Sequence, residues 1–194
     1  SILYPQGSYS LFNIPLSATE SIQYVMNSQT GAWCKFTGQN AACWSLFNGN
    51  LYFGAQAGGV IYKADSGFSD NAADIDWKIR PAFSYYGSRG NKKIFSLCRP
   101  HFTSSGIPSF AIDLNLDFSN INPTNIPTPT DTASGIWDVS KWDESYWAEE
   151  VTSAAWTTVF GIGECASPTI RGGTKTISIS FTAYDMIWQQ GGAL

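Results

Sequence analysis

The sequence predicts an all-β protein, in which an antiparallel β-sandwich or barrel is preceded by hairpins that are like β-propeller blades. Short apolar and aromatic runs recur at intervals of roughly 8 to 12 residues, and turn residues separate them. Segments with a helical period are nearly absent, and Ser145–Val151 is the one candidate for a turn or two of helix. The 18 glycines and 9 prolines supply the turns that such a fold requires.

Residues 1–70 are predicted to form a propeller-blade-like hairpin region that belongs to a larger domain. The strongest signal is Asn48-Gly49-Asn50 between two aromatic runs, because Asn-Gly favours two-residue hairpin turns. One or two blades cannot close a ring, so further blades are expected to precede Ser1. The missing initiator methionine indicates either such a fragment or a processed amino terminus. The predicted strands are Tyr9–Ile14, Ser21–Met26, Ala32–Phe36, Ala42–Phe47, Leu51–Phe53 and Val60–Lys63.

Residues 71–194 are predicted to form an antiparallel β-sandwich of about five to seven strands. The clearest strand is Ser109–Phe118, in which the apolar residues occupy even positions. Asp113, Asn115 and Asp117 fall between them, so we expect a sheet with one face in water. The other predicted strands are Ile75–Phe83, Lys93–Arg99, Ala155–Phe160 and Thr176–Ala183.

A long loop rich in Pro and Trp, residues 119–150, interrupts this second domain. Pro123, Pro127 and Pro129 lack the N–H that a central strand must donate, so this part cannot be such a strand. Loops longer than about 15 residues usually serve a function or reach a neighbouring chain. Reaching a neighbouring subunit and covering its own sheet are both open alternatives for this loop.

Three tryptophans in that loop, Trp137, Trp142 and Trp147, follow one another at five-residue spacing, and Asp138 and Asp143 follow the first two. Neither a helix nor a strand places residues at that spacing on one face. A looping ribbon is the simpler interpretation, with indoles packed on a sheet and each Asp closing a turn. These five residues are the candidate binding site, for a subunit interface or a glycan. Acids among tryptophans also occur in glycosidase clefts, and solvated turn acids are the alternative.

Motifs rich in Trp and Gly follow one another along the chain, namely Phe47–Gly54, Val60–Asp65, Ala82–Gly87, Gly135-Ile-Trp-Asp-Val-Ser-Lys-Trp-Asp-Glu-Ser-Tyr-Trp147, Trp156, Gly161–Gly163, Ala183–Asp185 and Gly191–Leu194. In this order they resemble the C-terminal part of virion proteins of short-tailed bacteriophages. The resemblance covers most of the chain from about Trp33 onward. It implies a structural role in the tail tube, nozzle or hub, often together with a β-propeller.

Composition and charge limit the partners. Only 13% of residues are charged, which suits a surface partly buried against other subunits, or else a monomer with a neutral polar surface. The net charge of −4 argues against nonspecific nucleic-acid binding. The basic residues Arg89, Lys92 and Lys93 lie in a predicted hairpin loop and are expected to be solvated. No apolar run reaches the roughly 18 residues of a transmembrane helix, so no membrane partner is expected.

No catalytic residue, cofactor or metal ligand is assigned. The four cysteines form no Cys-x-x-Cys pair and lie in strand-like apolar sequence, which favours buried free thiols. His101 follows Pro100 at a predicted strand end, and without a Gly-x-Ser-x-Gly elbow it is interpreted as structural. A polar loop is favoured over a calcium site for the acids Asp65, Asp70, Asp74 and Asp76.

The function predicted from the sequence and the resemblance is a non-enzymatic structural component of a phage tail, as a tube, nozzle or adaptor. The expected partners are other tail proteins and, in the full-length protein, further copies of the chain in a ring. DNA is expected to pass through that ring without specific binding. The resemblance places assembly in the host cytoplasm and the product in the virion. The alternative is a carbohydrate-binding or polysaccharide-depolymerising tail module.

Overall fold

The computed structural model describes residues 1–124, 141, 151–153 and 155–191. The predicted all-β class is confirmed, because these residues form antiparallel sheets without a helix and without a closed barrel. In those same ranges no helix with the length and apolarity to cross a membrane occurs. The strands are β1 (Ile2–Tyr4), β2 (Tyr9–Pro15), β3 (Ser21–Asn27), β4 (Trp33–Phe36), β5 (Ala41–Phe47), β6 (Asn50–Ala55), β7 (Ile61–Lys63), β8 (Ile75–Ile79), β9 (Lys93–Ser104), β10 (Phe110–Leu116), β11 (Val151–Ser153), β12 (Thr157–Gly163), β13 (Ala166–Thr174) and β14 (Ile179–Gln190).

The chain divides into two compact units, Ser1–Gly67 and Phe68–Leu194. The first unit holds two meandering sheets, with strand orders β1-β2-β3-β4 and β5-β6-β7. The turn between β5 and β6 is the Asn-Gly turn expected from the sequence, with φ of 48° at Asn48 and 76° at Gly49. That left-handed backbone suits glycine and asparagine, which explains why this dipeptide fixes the hairpin there.

The two sheets of the first unit pack against each other over part of one face of each sheet. Tyr4 from the four-stranded sheet packs with Leu51 and Ala64 from the second part of the unit, and Trp44 and Phe53 extend this cluster. Polar contacts join the same two parts of the chain. Gln23, which is fully buried, donates a hydrogen bond of 2.8 Å from Nε2 to the carbonyl oxygen of Gln39.

The second unit is a two-layer arrangement of antiparallel strands. One sheet has the order β10-β13-β8. In the other sheet β9 pairs with β14 along one edge and with β12 and β11 along the other edge. The core contains residues of both sheets, namely Phe95, Cys98, Leu114, Val159 and Ala166. This packing buries one face of each sheet, and the central strand β13 is buried on both of its faces except at Arg171.

The central strand β13 is absent from the sequence-based prediction. Pro168, Gly172 and Gly173 weaken the strand signal, since proline and glycine are depleted in sheet interiors. Pro168 is tolerated because β8 pairs only with Ile170–Thr174, so β13 has no ladder to β8 at this position. Gly172 is required by close packing, because a Cβ there would lie 2.5 Å from the carbonyl oxygen of Ser109 and 2.5 Å from the Trp77 ring.

The prediction that β10 has one face in water is wrong at Asn115. This side chain is fully buried, and its Nδ2 donates to Oγ1 of Thr169 at 2.6 Å. Its Oδ1 accepts a hydrogen bond of 2.5 Å from the backbone N–H of Ile121. The polar residue therefore anchors the start of the loop that follows β10, a contact that alternation along one strand does not reveal.

Candidate functional site

An exposed face of the second unit lies on the sheet formed by β12, β9 and β14, and we call it the outer face. Residues of β9 that point the other way, Phe95, Cys98 and Phe102, have no solvent exposure. Because side chains alternate across a strand, their neighbours project outward. The outer face comprises Ile94, Leu97, Arg99, His101, Thr103, Trp156, Thr158, Phe160, Ile162, Ser180, Ala183, Asp185 and Ile187.

A cluster of polar side chains occupies the middle of the outer face. Arg99 on β9 lies directly opposite Asp185 on β14. The Arg99 side chain donates to Oδ2 of Asp185 through Nε at 3.0 Å and also through Nη2. Nε2 of His101 lies 2.9 Å from the same carboxylate oxygen. These contacts lower the pKa of Asp185 below its usual value, first through the hydrogen bond to His101 and then through that to Arg99.

Trp156 completes this cluster just before β12 begins. The Arg99 guanidinium carbon lies 4.5 Å from the centroid of the Trp156 ring. A guanidinium over an indole face is attracted by the ring quadrupole, which holds both side chains in place. The Trp156 residue nevertheless stays 42% exposed, so part of its surface is free to contact another molecule.

An open groove of about 390 Å³ runs beside the cluster. His101, Thr103, Thr182 and Asp185 line it with polar groups, together with Phe102 and Ala183. In the described part of the chain, the hydrogen bonds to the Asp185 carboxylate all reach Oδ2. Among the described residues, Oδ1 therefore keeps its capacity to accept a hydrogen bond.

His101 does not lie at a strand end, as the sequence had suggested, but within β9. The strand continues through Pro100 to Ser104. Pro100 lies between the part of β9 paired with β12, which ends at Cys98, and the part paired with β11, which begins at Phe102. Proline is tolerated where no neighbouring strand needs its N–H group. Because neither β12 nor β11 pairs with Pro100, β9 continues through this proline to Ser104.

The other end of the outer face is apolar. Ile94 lies opposite Ile162, and Leu97 lies opposite Ile187. Phe160 is 75% exposed, and Ile162 and Ile187 are also exposed. An uncharged apolar area beside an Arg–Trp pair has the composition of an interface core, in which charges are depleted and Trp and Arg are enriched.

The five residues proposed from the sequence as a binding site lie outside the described residues. They are Trp137, Asp138, Trp142, Asp143 and Trp147. The residues that the structure brings together are instead Arg99, His101, Trp156 and Asp185. The sequence contained a partial signal for this cluster. Arg99 and His101 are two residues apart in an apolar strand, and this spacing predicts that both side chains lie on one face of the strand. Asp185 between Tyr184 and Met186 repeats that signal, but strand pairing cannot be derived from either segment alone.

The interpretation of the basic residues as a solvated loop is wrong for Lys93. This residue begins β9 and is fully buried. Its ammonium group donates to the backbone oxygens of Ser88 at 2.5 Å, Asn91 at 3.0 Å and Glu164 at 2.9 Å. Three carbonyl acceptors replace the water that the charge loses, so Lys93 joins two loops and is unable to bind phosphate.

The prediction of buried thiols holds for only two of the four cysteines. Cys98 and Cys165 are buried, whereas Cys34 and Cys43 are exposed, and all four are free. Cys34 lies on the edge strand β4, where all four residues are exposed. An apolar run in the sequence does not distinguish an edge strand from a central one, which explains the error.

Among the described residues, no group of three or more His, Cys, Asp or Glu side chains is arranged to hold a metal ion. Comparison with known proteins finds no matching family model, no similar curated protein and no similar solved structure.

Proposed function

We propose that this chain is a structural, non-enzymatic component of a phage tail, assembled through exposed faces of its sheets. The tube, nozzle and adaptor are the parts of the tail that fit this proposal. The observation that carries it is the apolar end of the outer face. A monomer that stays free in solution rarely exposes such contiguous apolar area, and exposed patches of this kind mark interaction sites.

The low charge of the chain supports the same proposal. Only 13% of residues are charged, so few charges need to be desolvated when a sheet face is covered. The Arg99–Trp156 pair supplies the large side chains that dominate binding energy in most interfaces. In this proposal DNA passes the assembled chains without specific binding, since the net charge of −4 offers no attraction to phosphate.

Purified phage particles provide the test. Quantitative mass spectrometry should find the chain in several copies per particle, at a constant ratio to the other tail proteins. A Phe160→Glu variant should fold but enter particles poorly, because a charge would then be buried in the interface. The matched control is Phe118→Glu, which alters an aromatic residue of the same unit that is 65% exposed outside the outer face. Particles that lack the chain would contradict the proposal.

Carbohydrate binding is a second candidate, and one observation favours it. Trp156 lies beside Arg99, His101 and Asp185 along an open groove, and this combination of an aromatic face with polar groups suits a sugar ring. The Arg99–Asp185 ion pair leaves little net charge, which suits a neutral saccharide.

Tryptophan fluorescence, to which Trp156 contributes as one of the eight tryptophans of the chain, tests this second candidate. Titration with a purified neutral bacterial polysaccharide should shift the emission of the native chain if sugars bind. Asp185→Asn and Trp156→Phe should abolish the shift, whereas Phe160→Glu should leave it unchanged. A response that survives Asp185→Asn would exclude this groove as the site.

A further inference from the structure

Three cations lie on the outer side of the sheet β10-β13-β8. The ring of Trp77 on β8 packs on that of Phe102 in the other sheet, with centroids 5.7 Å apart, so Trp77 points inward. Because side chains alternate along a strand, Lys78 points outward, and Arg80, which follows β8 directly, continues the same row. Arg171 on β13 lies directly opposite Lys78 and shares its face. We call Lys78, Arg80 and Arg171 the cation cluster.

The cation cluster is electrostatically unbalanced. Like charges directly opposite each other on neighbouring strands, as in Lys78 and Arg171, destabilise the pairing. Asp76 and Asp113 lie on the same side of the sheet, diagonally from Arg171. Neither forms an ion pair with the cluster, since the ion pairs of the described residues all involve Asp185. Three cations therefore share one small area without a contacting anion in the described part of the chain.

The segment that follows β10 holds these cations in place through neutral oxygens. Each cation donates to one oxygen of this segment. The pairs are Arg80 with Oδ1 of Asn120, Lys78 with Oδ1 of Asn122 at 3.4 Å, and Arg171 with the carbonyl oxygen of Pro123 at 3.4 Å. The segment is itself anchored, because the buried Asn115 accepts a hydrogen bond of 2.5 Å from the N–H of Ile121. These contacts position the three cations without neutralising their charge.

We propose that the cation cluster binds a phosphate group. A lysine ammonium has three N–H donors and an arginine guanidinium has five, so one contact with the protein leaves most of them available. Lys78 and Arg80 are exposed and Arg171 is partly exposed, so these donors can reach a ligand. The planar fork of arginine matches two phosphate oxygens, and lysine adds a point charge.

Phosphate fits the cation cluster better than a carboxylate does. A phosphate monoester has close to two negative charges near neutral pH and three strong acceptor oxygens, enough to contact three cations at once. A carboxylate has one charge and two oxygens, which a single arginine fork satisfies. An acidic peptide is therefore the competing occupant that the experiment must separate from phosphate.

Free phosphate and the backbone of DNA present the same oxygens to such a site. A contact with the DNA backbone contains no information about base sequence, so it agrees with passage of DNA without specific binding. The net charge of the whole chain is −4, so the attraction is confined to this side of the sheet. The inference goes beyond the proposed function and does not depend on it.

Isothermal titration calorimetry of the whole chain with inorganic phosphate at low ionic strength tests the proposal. The native chain should bind phosphate, and Lys78→Gln and Arg80→Gln should each weaken the affinity by about tenfold or more, the loss of one charge-assisted hydrogen bond. Both side chains are exposed, so both variants should fold. Lys92→Gln, which removes an exposed lysine of the same unit outside this sheet, is the matched control and should bind like the native chain.

Thermal unfolding gives a second readout that a purely structural role would not produce. Phosphate should raise the melting temperature of the native chain and of Lys92→Gln more than sodium chloride does at the same ionic strength. Without phosphate, Lys78→Gln should not lower the melting temperature, because it removes a repulsion from Arg171. With phosphate, the rise should be lost in the double variant Lys78→Gln/Arg80→Gln.

A titration with duplex DNA, followed by fluorescence anisotropy, distinguishes the two sources of phosphate. If the DNA backbone contacts the three cations, the logarithm of the binding constant should fall with that of the salt concentration with a slope of about −3. DNA binding that the double variant does not weaken would assign the site to free phosphate. The proposal is overturned if neither inorganic phosphate nor DNA binds, or if phosphate binding survives in the double variant. Tighter binding of a glutamate-rich peptide than of phosphate, lost in the same variant, would assign the cluster to an acidic peptide instead.

Discussion

Nε2 of His101 and the guanidinium of Arg99 both contact a single oxygen of Asp185, and the distance from His101 is 2.9 Å. The two donors lie on one strand and the acceptor on its neighbour, so the cluster joins β9 to β14 on an exposed surface. This arrangement lowers the pKa of Asp185 below its ordinary value of 3.8. Stability and pH are therefore linked at this position.

Asp185→Asn should weaken the dependence of stability on acid pH. A carboxylate whose pKa is lower in the folded state stabilises the fold above its unfolded pKa, and this contribution is lost as pH falls through the lower folded value. The native chain should thus lose more stability than Asp185→Asn when urea unfolding is compared at neutral pH and below pH 3.8. Asp76→Asn, at an exposed position on β8 without an ion pair in the described part of the chain, is the control.

Lys93→Met should destabilise the second unit far more than Lys92→Met. The ammonium group of the buried Lys93 donates to three backbone carbonyls in partly buried hydrogen bonds, and its removal leaves these carbonyls without that donor, which costs about 3 kcal/mol. Lys92 is exposed, so its substitution should be nearly neutral. Urea titration gives the free energy of unfolding of each variant and of the native chain. Equal effects of the two substitutions would show that the buried hydrogen bonds contribute nothing.

Asn115→Ala should lower the free energy of unfolding by about 2 kcal/mol, because Thr169 and the N–H of Ile121 each lose a buried partner. Asn120→Ala is the control, since that residue is exposed on the following loop. Hydrogen exchange at Ile121 gives an independent readout. Unchanged protection of that amide in the Asn115 variant would contradict the anchoring role of the side chain.

Thiol titration should separate the four cysteines by reactivity, with two that react in the folded chain and two that do not. Cys34 and Cys43 should react in the native chain, whereas Cys98 and Cys165 should react only after unfolding. Burial also raises the pKa of the Cys98 thiol to about 11, which reduces its thiolate fraction near neutral pH. Four free thiols in denaturant are expected. Fewer than four would reveal a disulfide or a bound metal, and four reactive thiols in the native chain would contradict the burial of Cys98.

The sequence was sufficient for the fold class and for the hairpins with strong turn signals. Asn48 and Gly49 illustrate this, because a local backbone requirement selects the residue type directly. Strand β13 shows the limit. Pro168 is explained by the missing pairing to β8 at that position, and Gly172 by the close approach of Ser109 and Trp77. Neither feature can be read from the sequence of β13 alone.

The candidate site was harder to predict for a related reason. Arg99, His101, Trp156 and Asp185 come from three segments that are adjacent only after β9 has paired with β12 and β14. The buried positions of Lys93 and Asn115 were missed because polar residue types usually indicate exposure. The predicted site at Trp137, Asp138, Trp142, Asp143 and Trp147 lies outside the described residues and stays a prediction.

A cryo-electron microscopy map of the intact phage particle tests the proposed tail role most directly. We expect copies of this chain around the DNA channel of the tail, related by a rotation axis, with the outer face of each copy covered by a neighbouring chain. A map that accounts for every tail component without this chain would contradict the proposal. So would a map in which the chain is present with its outer face free and with bound polysaccharide beside Trp156.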